Sequence, residues 1–531
     1  MVAVNRRTVL QGMAYAGLYG GLAADVFRAA QALEPDEIAG SDAELHLLRR
    51  ISFGPTAATL ARARAIGRTA YIEEQLVATD GQTGTTAQAL YPLITLSSTS
   101  LFATTGGGFV IDSHLQHLQA AMLHRALFSS AQLKEVMVDF WNDHFNTHVR
   151  KNPIPLKIDF DRDVIRPHAL GNFRTLLKAT VRSGEMLHYL DNWLNRKDAI
   201  NENYARELLE LHSMGKGNYL EADMKALSRI LSGLSYINDL VGSPLTHGSV
   251  SYGQVVFLAA EHDDGEKVFL GQTFPAGGGE DEIDRALDLI LAQPATARFI
   301  AEKLCRRFVS DQPPITVVDA VAATFTSSGG DIKAMLRVLL NSTEFAASRG
   351  TKLKRPQEAM IGALRACGLT LTDALANTNV FGFAVASPNG ILYQGLQQAG
   401  HLPFNWVPPN GYPDTASYWG NTNTQLYQQK FLVGLVEGTG FSYVLSDPVN
   451  ALQFGNSVAS GSTRARTPRQ AVDNAIANLL FQPLPAEARN AALAFVAQDA
   501  DPEAEMDGGV LEQRVKGLVF VLLASPWSLL R

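Results

Sequence analysis

The chain has 531 residues, of which 46% are hydrophobic and 18% are charged, and its formal net charge is −7 at pH 7. This composition is typical of a globular protein with a sizeable core, and the acidic balance argues against nucleic acid as a partner. After residue 32, no segment reaches the roughly 18 uninterrupted apolar residues of a membrane-spanning helix. We therefore expect no membrane span in that part of the chain. Cys305 and Cys367 permit at most one disulfide, and they form no CxxC motif.

Residues 1–32 have the pattern of an export signal. Arg6 and Arg7 precede a weakly apolar stretch that is dotted with glycines, and Ala30-Gln31-Ala32 offers a small-x-small cleavage site. We therefore predict a twin-arginine signal peptide over residues 1–32 and a periplasmic or secreted location. The alternatives are an N-terminal membrane anchor or a chance arginine pair.

Apolar spacing after the linker at residues 33–43 predicts a mainly α, multi-helical fold with a small β-hairpin, in contrast to a βαβ fold. Helices are expected within residues 43–75, 114–128, 132–149, 172–190, 202–214, 221–234 and 280–367. Loops are expected at residues 79–86 and 96–108. Val255–Ala259 and Lys267–Leu270 flank Asp263-Asp264-Gly265, which predicts that the two segments pair as a hairpin.

The predicted elements form one assembly over residues 44–531. Its expected parts are a helical part (44–240), a hairpin insertion (241–280), a second helical part (281–370), an aromatic loop region (371–424) and a helical C-terminal part (425–531). Residues 400–422 within this assembly are rich in proline, glycine and aromatic residues.

Histidines are concentrated in the first half of the chain, where seven of the twelve lie between residues 114 and 188. His144 and His148 continue the helical stripe of Met137, Phe140 and Trp141, so all five are expected on one inward face. Two histidines at i and i+4 can bind one metal ion, as in HExxH enzymes, although the glutamate of that motif is missing. We therefore predict a divalent metal site at His144 and His148. The alternative is a pair of hydrogen-bonded core histidines.

A second polar segment spans residues 201–212. At 100° per residue, Glu207, Glu210 and Arg206 share one arc with Glu202 and Asn203, whereas Tyr204, Leu208, Leu211 and His212 occupy the other arc. One interpretation is a solvated face with i, i+4 ion pairs. The functional interpretation places this face against His144 and His148, with Glu207 or Glu210 as ligand or base and Arg206 as a charge-stabilising group. Asp191, at the end of the preceding helix, either caps that helix or joins the cluster.

Three of these segments carry a resemblance to a known family. Residues 140–145, 186–192 and 201–211 resemble the central motifs of the bacterial family called domain of unknown function 1800. Further motifs match at residues 46–55, 262–271, 294–300, 352–356 and 523–526, so the resemblance covers about residues 44–531. It implies an exported, largely helical protein, often encoded beside a companion twin-arginine protein of the family called domain of unknown function 1501. The family has no established activity, so the resemblance implies none for this chain.

The aromatic loop departs from the family pattern. His401 and Tyr412 stand at or near positions where the family usually has glutamine and tryptophan. One interpretation of the loop is a lid whose Trp406, Tyr412 and Trp419 stack on a glycan. The other is an Ω-loop packed between helices.

We hypothesise an exported enzyme, hydrolytic or oxidative, with a polar pocket between the helices that carry His144 and Glu207. The competing hypothesis is a non-catalytic envelope or secreted scaffold that binds the companion protein, with the polar motifs as a buried structural network. A haem or redox-cofactor protein is a third hypothesis, although the chain has no CxxCH or glycine-rich dinucleotide motif.

Overall fold

The computed structural model describes residue 26 and residues 28–31, 33–104, 111–238, 252–368, 390–437 and 466–531. Arg6, Arg7 and most of the predicted signal peptide lie outside these residues. Helices fill most of the described chain, so the predicted mainly α fold is confirmed. Within these ranges, no helix is both long enough and apolar enough to cross a membrane.

The first half of the chain is built from short helices with short connections. These are α1 (Pro35–Ala39), α2 (Ala43–Ile51), α3 (Ala57–Ile66), α4 (Arg68–Val77), α5 (Gly81–Leu90), α6 (Ser98–Thr104), α7 (Ile111–Phe128), α8 (Gln132–His144), α9 (Ile154–Asp159), α10 (Arg166–His168), α11 (Phe173–Val181), α12 (Gly184–Tyr189), α13 (Asn203–Glu210) and α14 (Glu221–Ile230). A π-helical turn at Phe160–Ile165 joins α9 to α10, and 3₁₀ turns occur at Pro92–Thr95 and Asn192–Leu194.

Within the described ranges, the second half is helical again after four short strands and a 3₁₀ turn at Ala259–Glu261. Its helices are α15 (Asp281–Ala292), α16 (Pro294–Phe308), α17 (Ile315–Ser328), α18 (Ile332–Leu340), α19 (Thr343–Ala347), α20 (Pro356–Ala366), α21 (Ile391–Gln398), α22 (Ala416–Trp419), α23 (Thr422–Glu437), α24 (Pro468–Leu479), α25 (Ala486–Ala497), α26 (Gly508–Ala524) and α27 (Pro526–Leu529).

The strands form two separate antiparallel pairs. They are β1 (Leu234–Tyr236) with β2 (Val255–Phe257), and β3 (Lys267–Phe269) with β4 (Gln272–Phe274). The predicted pairing of 255–259 with 267–270 is therefore wrong. Leu270 and Gly271, both at positive φ, turn β3 back onto β4. Asp263, at the predicted turn, instead binds Arg229 of α14, with 2.6 Å between Oδ2 and Nε.

Three local predictions fail, two of loops and one of a continuous helix. The loop expected at residues 96–108 contains α6. At the other predicted loop, tertiary packing overrides sequence propensity. A loop is expected at residues 79–86, yet α5 begins at Gly81, buries Thr83 and Ala87, and places the Thr83 hydroxyl on the carbonyl oxygen of Phe128. The helix expected over 172–190 divides in two because Ser183 caps a new helix through the backbone N–H of Met186.

One main hydrophobic core joins helices from both halves of the chain. Trp141 of α8 is completely buried in it, and its indole N–H donates to the carbonyl oxygen of Ala169 at 3.0 Å. Cys305 and Cys367 are buried free thiols. Val26 and Ala29 also pack into this core, so cleavage after Ala32 would remove core side chains.

Candidate functional site

His144 is the last residue of α8, and its ring is buried among aromatic side chains. Its Nε2 lies 3.0 Å from the carbonyl oxygen of His212, and the two imidazole centroids are 6.0 Å apart. Burial and the nearby Lys303 hold the pKa of His144 well below its ordinary value of 6.5, so the ring is neutral and Nε2–H donates this bond. Burial also lowers the pKa of His212, to about 3. Both rings are therefore uncharged near neutral pH.

His148 does not share the face of His144. Helix α8 ends at His144, where the backbone N–H of Phe145 closes the last turn on the carbonyl oxygen of Trp141. The predicted common helical face is therefore wrong for His148, which lies beyond the helix and is half-buried. In the described ranges, no three histidine, cysteine, aspartate or glutamate side chains come together in a group able to hold a metal ion. A metal at His144 and His148 stays a prediction.

Helix α13 turns its apolar arc inward and its charged arc toward solvent. Tyr204 and Leu208 are buried, whereas Arg206 is 44% exposed and forms an ion pair with Glu202 at 3.6 Å. This arrangement fits the solvated-face interpretation. The segment does meet α8, but it does so through His212, which lies just beyond the helix on the apolar arc.

The two glutamates predicted as catalytic lie on the outer side of α13. Glu210 accepts a hydrogen bond from the Tyr219 hydroxyl at 3.2 Å. Glu207 is half-buried, and burial together with the Glu210 charge raises its pKa above the ordinary 4.5. Its raised pKa keeps it a candidate, although no described contact joins its carboxylate to His144.

Asp191 joins α13 rather than capping α12. Its backbone is in the left-handed region (φ 61°), and its Oδ2 accepts from the Asn203 side chain at 3.1 Å. The Lys151 ammonium lies 3.4 Å from the same oxygen and also donates to the carbonyl oxygen of Tyr189 at 2.5 Å. A non-glycine residue at positive φ persists only where its surroundings hold it, and these contacts supply that support.

Asp143 and Lys303 are two partly exposed groups that the sequence hypothesis did not use, and the charge of Asp143 acts on Lys303. Asp143, in the last turn of α8, is 21% exposed and accepts from Arg355 at 3.0 Å. Burial and the Asp139 charge raise its pKa to about 7, against the opposing effect of Arg355. Lys303 of α16 is partly buried, and burial lowers its pKa to about 8. Asp143 lies within the motif at 140–145, whereas no sequence pattern singled out Lys303.

A buried ion-pair network extends from Asp143 into the core. Arg355 binds Asp139 at 2.5 Å as well as Asp143, and the Arg307 guanidinium contacts the carboxylate of Glu358. Arg531 lies 2.9 Å from the same carboxylate. Burial acts to raise the pKa of Glu358. The guanidinium groups outweigh this effect and hold the pKa well below its ordinary value of 4.5.

The network reaches the protein surface on its other side. Lys352 forms ion pairs with Asp311 at 2.9 Å and with Asp414 at 3.2 Å, and those two side chains are 27% and 19% exposed. Backbone hydrogen bonds pair Lys352 with Arg531 in both directions, at 2.9 and 3.2 Å. The segment before α20 is thus fixed to the end of the C-terminal helices by both backbone and charge.

The aromatic loop covers the end of α8. Gly411 lies at φ 74°, and a Cβ atom there would stand 2.0 Å from the carbonyl oxygen of Asp143, so only glycine permits this approach. The Asn146 side chain donates to the carbonyl oxygens of Trp406 and Pro408, at 3.0 and 2.6 Å.

The model of the family described as "Protein of unknown function (DUF1800)" matches residues 46–528. The chain belongs to this family. Searches of the curated proteins and of the solved structures found no similar protein. The DUF1800 motifs at 140–145 and 352–356 meet in space, since Asp143 and Arg355 come from these two segments.

The aromatic loop of this DUF1800 member is packed around His401. Tyr412 and Trp419 are buried, as the packed-loop interpretation requires, and each ring centroid lies 4.6 Å from that of His401. His401 Nδ1 accepts from the backbone N–H of Gln357 at 3.2 Å. Trp406 alone among the three predicted stacking aromatics is partly exposed.

Proposed function

We propose that this protein is an exported hydrolytic enzyme in which Asp143 and Lys303 transfer protons. The observation that carries the proposal is that Asp143 of α8, held by Arg355, and Lys303 of α16 are partly exposed at the edge of the buried network, where burial moves the pKa of each group toward neutrality. Groups that titrate close to the working pH are the most effective general acids and bases, and perturbed pKa values concentrate at functional sites.

The charge types of the two groups assign their roles. The ionised Asp143 is a carboxylate that can accept a proton, and the ionised Lys303 is an ammonium that can donate one. Asp143 then removes a proton from a water molecule, whose oxygen forms the new bond to the substrate. Lys303 donates its proton to the leaving group as the old bond breaks. Solvent returns both groups to their starting states, and Arg355 holds the Asp143 carboxylate in place.

Two further features belong to the same proposal. The Arg6-Arg7 pair with its glycine-dotted segment supports export by the twin-arginine route. Burial, and after it the charge of Lys303, lowers the pKa of His144 and of His212, so both rings stay uncharged. Binding of a divalent metal at His144 and His148 remains a separate proposal, and elemental analysis of protein purified from its native host tests it.

The test compares Asp143→Asn and Lys303→Gln with Glu207→Gln in a panel of ester, amide, glycoside and phosphate-ester substrates. We expect a bell-shaped dependence of kcat/KM on pH, with limbs near 7 and 8, and a loss of at least about 100-fold in either of the first two variants. Glu207→Gln should retain activity. If only Glu207→Gln loses activity, the reaction takes place at the outer face of α13 instead.

A scaffold that binds a companion protein of the domain of unknown function 1501 family is the second proposed function. It is favoured by the buried network, in which motif residues such as Asp139 and Arg355 satisfy each other. Under this proposal, a deletion strain is fully complemented by a well-folded Asp143→Asn, Lys303→Gln double variant. The phenotype of any variant strain then follows the abundance of the protein or the loss of the co-purifying companion.

A further inference from the structure

Three arginines converge on a single carboxylate oxygen. Oε1 of Glu358 is in contact with the guanidinium groups of Arg307, Arg355 and Arg531. Arg355 lies 3.5 Å and Arg531 2.9 Å from this oxygen. One carboxylate oxygen offers two lone pairs, which are fewer acceptors than these groups offer donors. Among the described residues, no hydrogen-bond acceptor is aligned with two guanidinium nitrogens of Arg307, one of Arg355 and all three of Arg531.

The deep part of this cluster is positively charged. Its carboxylates at under 10% exposure are Asp139 and Glu358, and the buried cations outnumber them. These cations are Arg50, Arg307, Lys352, Arg355 and Arg531. The remaining carboxylates, on Asp143, Asp311 and Asp414, lie at the rim with 19–27% of their side chains exposed.

The positive potential also acts on neighbouring groups. Burial lowers the pKa of Lys354 to about 7, and the charges of Arg49 and Arg531 add to that effect. Burial, with Arg355 next, holds the pKa of His401 well below 6.5. Burial is the first cause of both shifts, and nearby guanidinium charges add to it.

We propose that Arg307, Arg355 and Arg531 bind one small monovalent anion of the chloride class. Guanidinium N–H groups are the donors that anions prefer, and the free donors supply the hydrogen bonds that a bare anion needs. These three side chains are only 1–3% exposed, so the anion must enter without its hydration shell. This requirement selects a small singly charged ion over phosphate, which is larger and more strongly hydrated.

Crystals of the full protein grown in bromide in place of chloride locate the anion by anomalous scattering. We expect a bromide peak within hydrogen-bond distance of at least two of the three guanidinium groups. Ordered water at these nitrogens, with bromide found only on the surface as an adventitious ion, would overturn the proposal. A tetrahedral peak from phosphate in the cluster would overturn the assignment to a small monovalent anion.

Thermal unfolding tests the same site in solution. We expect a saturable rise in Tm of about 2 °C or more when sodium chloride replaces sodium gluconate at equal ionic strength. Arg531→Lys keeps the charge but loses the planar set of donors, so it should lose this rise, whereas Arg489→Lys, at an exposed pair with Asp473, should keep it. Equal Tm values of the natural protein in the two salts would refute the inference, even if Arg531→Lys fails to fold.

Discussion

Removal of the Glu358 charge tests the buried network most directly. In Glu358→Gln, the guanidinium groups of Arg307, Arg355 and Arg531 lose their shared carboxylate, while all three side chains stay at most 3% exposed. Breaking a buried ion pair by removing one partner costs about 3–5 kcal/mol. The amide oxygen can still accept from the backbone N–H of Arg355, which Glu358 now does at 3.0 Å, so we expect about 3 kcal/mol.

The assay is chemical denaturation at several pH values. The pKa of Glu358 is lower in the folded protein than its ordinary 4.5, so its charge stabilises the fold above pH 4.5. As pH falls toward the folded pKa, the unfolded chain takes up a proton first and this stabilisation is lost. The difference from Glu358→Gln should therefore be smaller one unit below 4.5 than it is at pH 6, by about 1.4 kcal/mol.

The matched control is Glu221→Gln, which removes an exposed i, i+4 partner of Lys225 at 3.9 Å. It should change the free energy of unfolding by less than about 0.5 kcal/mol. A Glu358→Gln loss below about 1 kcal/mol, or a difference from the natural protein that does not vary with pH, would refute the ionised network.

Three further predictions concern single contacts. His144→Ala and His212→Ala should destabilise non-additively, with an interaction energy of at least about 0.5 kcal/mol in a double-mutant cycle, because the two rings share one buried environment. Gly411→Ala should cost about 2 kcal/mol or more in denaturant unfolding, since it adds a Cβ atom at positive φ against the end of α8. Cys305 and Cys367 should be alkylated only after unfolding, as monitored by mass spectrometry, because both thiols are buried and burial raises their pKa values to about 12.

The sequence predicts those features of α8 that depend on local periodicity. The stripe of Met137, Trp141 and His144 is buried, as the 3.6-residue period indicates. The end of the helix was not predictable in this way, because no glycine or proline marks it. The path of the chain after His144 is set by contacts distant in sequence, such as the bonds from Asn146 to the aromatic loop.

The candidate site shows the same division between local and long-range information. The helical period predicts the apolar and the charged arc of α13 correctly. An amphipathic pattern does not distinguish a charged arc that faces solvent from one that forms a functional site. Asp143 and Arg355 are 212 residues apart in the sequence, and only the fold brings them within 3.0 Å. The pKa of Lys303 likewise depends on burial, which has no signal in its neighbouring residues.

The network has a consequence for biosynthesis, since its members are far apart in translation order. Asp139 is synthesised early, Arg307 and Glu358 much later, and Arg531 only after the C-terminal helices. A nascent chain that has emerged only as far as α20 contains Glu358 without one of its three arginines. Burial of these charges is therefore complete only after Arg531 has been synthesised and has left the ribosome. Chains that stop before Arg531 should remain substrates for chaperones and proteases, because Glu358 then lacks one of its buried partners.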